Sequence, residues 1–256
     1  MSDLSGPIRL SVAAPAYNEA QGVAVVVAGW HDFLAGQTLA DFEIVICNDG
    51  SKDDTGAILD RLALTYPQVK PLHFATNQGA AAALNAAIAA TTGDWVLLLD
   101  SDGQFPIENL PAMLAALRQS GGEAAIGIRR KKDVAFARFG SWASGVLCNM
   151  AHGSRLKDFN SAFKLVSGPV LRGLGLEAKG MNYSTEVTSR LLECGIVPVG
   201  VTIEHRPRTT GVSSMKLVRG ARDRFLFVLY IILRQALLKR GILSPALSPA
   251  LGRPKP

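Results

Sequence analysis

Short, mostly apolar runs punctuate the first hundred positions, and segments of helical composition separate them. Residues 8–14, 42–48 and 96–99 are nearly continuous in apolar side chains, as strands buried on both faces of a parallel sheet are. Residues 69–75 supply the third strand in order. Between them, 20–34, 57–66 and the alanine-rich 80–91 read as helices, although Gly22 and the β-branched run 23–27 are weak helix formers. Pro15 opens a loop, 15–19, because proline keeps the residue before it out of the helical region. Strand and helix thus alternate four times, the order of a Rossmann-like parallel sheet with right-handed crossovers. A helix over 106–120, a strand over 124–128, a turn and strand over 156–166, a helix over 184–194 and a strand over 196–203 follow. The expected class is α/β, with a mostly parallel central sheet flanked by helices.

Residues 215–240 continue as one long amphipathic helix. Leu217, Val218, Ala221, Phe225, Val228, Leu229 and Ile232 fall on one face at helical spacing, with Lys216, Arg219, Arg222 and Arg234 opposite. Its uninterrupted apolar stretch, 225–233, has nine residues. A bilayer span needs about 20, so this helix does not cross one. Two readings stand: it lies in a membrane interface with its arginines at the headgroups, or it packs on the domain. The expected division is a domain over 1–214, this helix over 215–243, and a disordered, proline-bearing tail over 244–256.

Composition narrows the picture. With 48% apolar residues, the 256-residue chain can bury a large core. Cys47, Cys148 and Cys194 are too far apart for a disulfide framework or zinc site, which fits a reducing, cytoplasmic compartment. Residues 1–7 lack the basic and apolar regions of a secretory signal. Residues 1–128 carry five basic and fourteen acidic residues, and the remainder 22 and seven, so the net charge of +6 hides a polarity. An acidic, metal-attracting half beside a basic half suits a reaction between polyanions, or an anionic membrane surface. Nucleic acid ranks last, because no aromatic-rich binding motif accompanies the basic residues.

Asp100 and Asp102 close the fourth strand, at the edge where open α/β sheets bind ligands. Residues i and i+2 of an extended chain point the same way. Two such carboxylates repel unless a cation lies between them or one is protonated. Oxygen donors, with Gln104 nearby, suit Mg²⁺ or Mn²⁺ better than zinc. Taken alone, the pair reads sooner as a loop cap at Asp100 and a solvated side chain at Asp102, because the pattern is common by chance; the strand before it and the surrounding motifs reverse that and favour a site. Residues 77–79 open the alanine-rich helix, whose N-terminus is a good place for phosphate. The dinucleotide glycine fingerprint is missing after the first strand, so NAD is not expected. The basic run 129–132 is either a solvated loop or a grip on an acceptor anion. Residues 205–216 form a loop rich in phosphate donors, with His205 structural or facing solvent.

These stretches resemble the family 2 glycosyltransferases of GT-A fold, most nearly the dolichyl-phosphate mannose synthase and bacterial polyprenyl-phosphate branch. The matching stretches are Pro15-Ala-Tyr-Asn-Glu19, Asn48-Asp-Gly-Ser51, Asn77-x-Gly79, Gly93-Asp94, Asp100-Ser-Asp-Gly-Gln104, Asp158-x-x-Ser161-Ala-Phe163 and Arg208-x-x-Gly-x-Ser213. Together they cover 8–216 in the family's order, departing from its pattern at Asn48 and Ala162 and in the arginine spacing of 129–138. The resemblance implies that Pro15, Tyr17, Glu19 and Asp49 hold base and ribose. Asp100, Asp102 and Gln104 would surround the metal, and Arg208 with Ser213 would close over the diphosphate. Arg129, Arg130, Arg138 and Ser141 would grip the acceptor phosphate. Asp158 would serve as a base or, preferably, orient an arginine.

A hydroxyl acceptor needs a general base. Many family 2 enzymes supply one from an acidic pair, but here Val187 follows Glu186. A phosphate, with its second pKa near 6, is already nucleophilic. The implied activity is inverting, metal-dependent transfer of a hexose from a UDP- or GDP-sugar to a polyprenyl phosphate. The site would be the cytoplasmic face of a membrane, with a membrane protein available as anchor. The rivals are transfer to a sugar hydroxyl, nucleotidyl transfer, and a nucleotide-binding scaffold without turnover.

Overall fold

The structure, a computed structural model, describes residues 4–129, 135–178, 182–206 and 217–245. Expectations at Arg130, at Arg208 and Ser213, and for the tail beyond 245 lie outside these residues, as do the side chains of Arg138 and Ser141. Seven strands form one sheet: β1 (Arg9–Ala16), β2 (Asp41–Asn48), β3 (Val69–His73), β4 (Trp95–Leu98), β5 (Ala124–Arg129), β6 (Lys164–Ser167) and β7 (Val199–Ile203). Their order is β3-β2-β1-β4-β6-β5-β7. All pairings are parallel except those of β6, which runs antiparallel to both β4 and β5. The expected mostly parallel α/β sheet is therefore present. The helices are α1 (Val23–Ala35), α2 (Thr55–Thr65), α3 (Ala80–Ala90), α4 (Leu110–Ser120), α5 (Ala135–His152), α6 (Gly168–Arg172), α7 (Tyr183–Glu193) and α8 (Leu217–Lys239).

Tertiary packing overrides local preference in two places. The run of valines is helical because Val23, Val27, Trp30 and Leu34 make one buried stripe, whose burial outweighs a few tenths of a kcal/mol of propensity per residue. Pro15 lies inside β1 rather than in a loop. It falls beyond the stretch Leu10–Ala13 that pairs with β4, so its missing N–H leaves no bond unmade on that side. The core is continuous on both faces of the sheet, with Val12, Ile44, Ile46, Leu97 and Leu165 wholly buried.

The chain leaves β1 towards β2 and β3 on one side and returns to β4 on the other. The strand order thus reverses between β1 and β4, and such a switch point opens a crevice at the strands' carboxyl ends. That crevice positions the site.

Helix α8 packs on α5 in a way the sequence pattern does not predict. Its buried stripe is Val228, Ile231 and Gln235, with Val228 and Ile231 meeting Cys148 and Phe159. Phe225, Leu229 and Ile232, expected to share a face with Val228, point outward instead, and Phe225 is 65% exposed. The reason is an ionic anchor: Glu193 of α7, 1% exposed, receives Arg234 at 3.1 Å and Gln235 at 3.0 Å. That contact rotates the polar residues inward. Among the described residues no helix is long and apolar enough to cross a membrane.

Candidate active site

Four loops meet at the carboxyl ends of β1, β2, β3 and β4, and polar contacts lace them together. Asn18, at φ 55°, accepts from the Lys52 N–H at 2.8 Å, while its own N–H donates to Ser51 Oγ at 3.0 Å. The Glu19 N–H donates to Thr55 Oγ1 at 2.8 Å. Ser101 Oγ donates to the Pro15 carbonyl at 2.8 Å, fastening the β1 loop to the β4 loop across the switch point. Gly50 turns at φ 63°, where a Cβ would collide with the backbone of Thr76, so no other residue fits without strain. Pro15 and Glu19 are buried, and Tyr17 is half-buried at the crevice rim.

Asp49 has a structural part of its own. Its carboxylate accepts from Asn77 Nδ2 at 2.8 Å, from the Gln78 N–H at 2.7 Å, and from the Gly79 N–H at 2.9 Å through one oxygen and 3.2 Å through the other. Three donors thus share its two oxygens, the Gly79 N–H reaching both. Asp49, 2% exposed, is the tether that sets the start of α3. Asn48, beside it, accepts from the Ser51 N–H and meets the His73 ring.

Asp100 and Asp102 sit at the mouth of β4. The Tyr183 hydroxyl donates to Asp100 Oδ1, and Asp102 Oδ1 accepts the Gln104 N–H at 3.1 Å. Burial and the neighbouring Asp102 push the Asp100 carboxyl up to about 6, against the opposite pull of Tyr183, Lys164 and Arg129. This mutual repulsion is what a cation would relieve. The donors are all oxygens, the set that suits Mg²⁺ or Mn²⁺, so the residues fit a hard divalent ion. Among the described residues, no three His, Cys, Asp or Glu side chains group as a cage. The pair would therefore depend on a ligand's phosphate oxygens to complete the coordination. Gln104 bridges to the chain leaving β7: its carbonyl accepts the Arg206 N–H at 2.8 Å, and its side-chain amide reaches the Arg206 carbonyl at 3.5 Å. Asn109 reinforces this by exchanging bonds of 3.0 and 3.1 Å with Glu204. His205 packs edge-on against Phe105, with ring centroids 4.9 Å apart.

Across the crevice, beyond β4, charge is handled differently. Asp158, 3% exposed, clamps Arg129 at the end of β5: Nε donates to Oδ2 at 2.8 Å and Nη2 to Oδ1 at 2.9 Å. Lys164, the first residue of β6, is 1% exposed and donates to the Ser161 carbonyl in the turn that carries Asp158. Burial pushes its amine down to about 7, and Asp158 and Asp100 pull it back up. On α8, burial and the charge of Arg129 lower the pKa of the half-buried Arg224. Glu186 is not available as a base: its oxygens accept the Glu177 and Ala178 N–H groups at 2.8 and 2.7 Å, and Arg190 lies at 3.4 Å.

The acidic pair, Gln104, the β1 loop, Asp158 and Arg129, each singled out in the sequence though the pairing of the last two was not, therefore line one edge of the sheet. Reading missed Tyr183, Lys164 and Arg224. Tyr183 begins α7, and nothing in its local pattern points back to residue 100. A lysine in the apolar run Ala162–Val166 was the one available signal, since a charged residue inside a buried strand demands a partner.

Comparison with known proteins agrees with this geometry. The sequence model described as "Glycosyl transferase family 2" matches residues 11–164. A bactoprenol glucosyl transferase of Shigella phage SfX is 31% identical over 171 residues, which is 66% of this chain and 55% of that protein. The chain thus spans about half the length of that relative. A polyprenol monophosphomannose synthase of Mycolicibacterium smegmatis is 30% identical over 221 residues, covering 81% of each. Among solved structures, glucosyl-3-phosphoglycerate synthase from Mycobacterium tuberculosis, in complex with phosphoglyceric acid, superposes with a TM-score of 0.68. It covers 89% of this chain and 80% of that one at 18% identity, a likeness of fold, and the fold is GT-A. With more than half its length matched by the family's model, and the acidic pair at the mouth of β4 within that match, the chain belongs to glycosyl transferase family 2.

Proposed function

We propose that this protein transfers a hexose, with inversion, from a UDP- or GDP-linked sugar to a polyprenyl phosphate at the cytoplasmic face of a membrane. The observation that carries the choice of acceptor is the state of the carboxylates facing it. Asp158 is spent on Arg129, and Glu186 on backbone N–H groups and Arg190. A hydroxyl acceptor would need one of them as a base. A phosphate needs none, and it needs the cations that are there. The relatives named for bactoprenol and polyprenol acceptors support the same choice.

On the donor side, Pro15, Tyr17 and Glu19 wall the pocket for base and ribose. Asp100 and Asp102, with Gln104 adjacent, would hold Mg²⁺ or Mn²⁺, which when bound draws charge from the leaving diphosphate. Arg208 and Ser213 would close over that diphosphate. The bonds of Gln104 and Asn109 hold residues 204 and 206, which precede Arg208 in the sequence, against the segment that follows β4. On the acceptor side, Arg129, with Arg130, Arg138 and Ser141, orients the phosphate, and Asp158 holds Arg129 in place. The outward face of α8, with Phe225, Leu226, Leu229 and Leu233, and Trp142 and Met150 of α5 give an apolar surface suited to a lipid interface. A membrane protein partner would add to that attachment.

The test is incubation with labelled UDP-glucose or GDP-mannose, Mn²⁺, and either undecaprenyl phosphate or an oligosaccharide. Label is expected in the lipid extract, with release of a nucleoside diphosphate. Label only on the oligosaccharide, or pyrophosphate release, would overturn the reading. Donor binding without turnover would favour the scaffold.

A further inference from the structure

Lys164 has no part in the reaction as described, yet it is among the most costly side chains in the molecule. An amine 1% exposed inside a sheet forfeits its hydration, and such a group survives only where its surroundings hold it. Its place is well defined. It pairs with Leu98 on one side, two residues before Asp100, and with Ile126 on the other, three residues before Arg129. Its amine bonds the Ser161 carbonyl, closing the turn 158–161 from below. The same turn is held from above by α7, where Ser184 Oγ donates to the Asn160 carbonyl at 2.7 Å and Thr188 Oγ1 to the Phe159 carbonyl at 2.9 Å. Asp158, at the head of that turn, holds Arg129 by two bonds.

Asp158 is bound directly by Arg129, and the amine of Lys164 acts on it through the backbone at Ser161. A methionine at 164 would fill the space without the cost of stripping an amine of water, at the loss of the bond to Ser161. The cost is retained at the position that closes the Asp158 turn from the sheet side.

We infer that Lys164 is a positioning residue of the acceptor side, which fixes the Asp158 turn and so Arg129. The inference rests on the proposed phosphate acceptor. It assigns Lys164 no contact with either substrate.

The experiment compares full-length wild type, Lys164→Met and Lys164→Arg. It measures thermal melting, affinity for nucleoside diphosphate with Mn²⁺, affinity for a short-chain prenyl phosphate, and KM and kcat for transfer. For Lys164→Met we expect a melting temperature within a few degrees of wild type. Prenyl-phosphate affinity should fall about tenfold or more, against a change under about twofold for nucleoside diphosphate. Lys164→Arg, which keeps charge and donor, should recover most of the acceptor affinity. Unchanged prenyl-phosphate affinity in Lys164→Met would overturn the inference. So would equal loss of both affinities, or an arginine variant as weak as the methionine one. If Lys164→Met does not fold, Lys164→Gln takes its place under the same criteria. If wild type binds prenyl phosphate but transfers no sugar to it, the proposed function fails while the binding comparison still decides on Lys164.

Discussion

The two banks of the crevice are built on opposite plans. The bank formed by β1, β2 and β4 is laced by neutral and backbone contacts, and the charge it leaves unspent is negative, at Asp102. The bank formed by β5, β6, α7 and α8 is held by ions inside the protein. Asp158 clamps Arg129 at 2.8 Å, and Arg190, 2% exposed, lies among Glu177, Glu186 and Glu193. The cation it holds at the crevice is Arg129. A site meant for a cation needs only oxygens presented without a counter-ion. A site meant for an anion needs guanidinium groups held rigid, because a flexible arginine spends its binding energy on being ordered.

Removing the unspent negative charge should have the largest effect. Asp102→Ala should lower kcat/KM by about 10³-fold or more, roughly 4 kcal/mol of transition-state stabilisation. Prenyl-phosphate affinity, read by calorimetry, should stay as in wild type. A parallel loss there would break the distinction between the banks. Asp158→Asn comes next. It leaves Arg129 without its counter-ion, and we expect a loss of about 3 kcal/mol in stability and about tenfold in acceptor affinity. Urea melts and the same calorimetry check both.

Tyr183→Phe removes only the hydroxyl on Asp100, and Mn²⁺ affinity should fall about tenfold, as it does when a partner of a metal ligand is lost. That variant sharpens the comparison, since Tyr183 belongs to α7 of the basic bank but touches the acidic one. The smallest effect lies at the far edge of the sheet. Burial pushes Glu43 up, but bonds from Lys70, Ser11 and Thr92 outweigh it and bring it from 4.5 to about 2. Its contribution to stability is therefore full above pH 4.5 and is lost as pH falls through about 2. Melts across that window should show a slope that Glu43→Gln flattens, with neither substrate affinity changed.

The strand-helix alternation, the placement of Asp100 and Asp102 at a strand end and the polarity of charge all follow from the one-dimensional order of residues. Burial of a strand on both faces, and the edge at which it ends, are set by neighbours a few positions away. The Asp158 motif was visible for the same reason. What the pattern could not carry was the rotation of α8. Apolar spacing puts Phe225 and Leu229 on one face with Val228, yet Glu193, from a helix more than twenty residues earlier, turns Arg234 and Gln235 in beside Val228 and leaves the other two outside. Likewise the occupation of Asp49 by the Asn77 loop, the bond from Tyr183 to Asp100 and the burial of Lys164 beneath the Asp158 turn all join residues distant in sequence, or depend on strands that pair out of order. Local order determines which elements form and which edge is functional. Only the folded arrangement decides which charges are already spent on each other and which are left for a ligand, because electrostatic partners are chosen by distance in space and by exclusion of water.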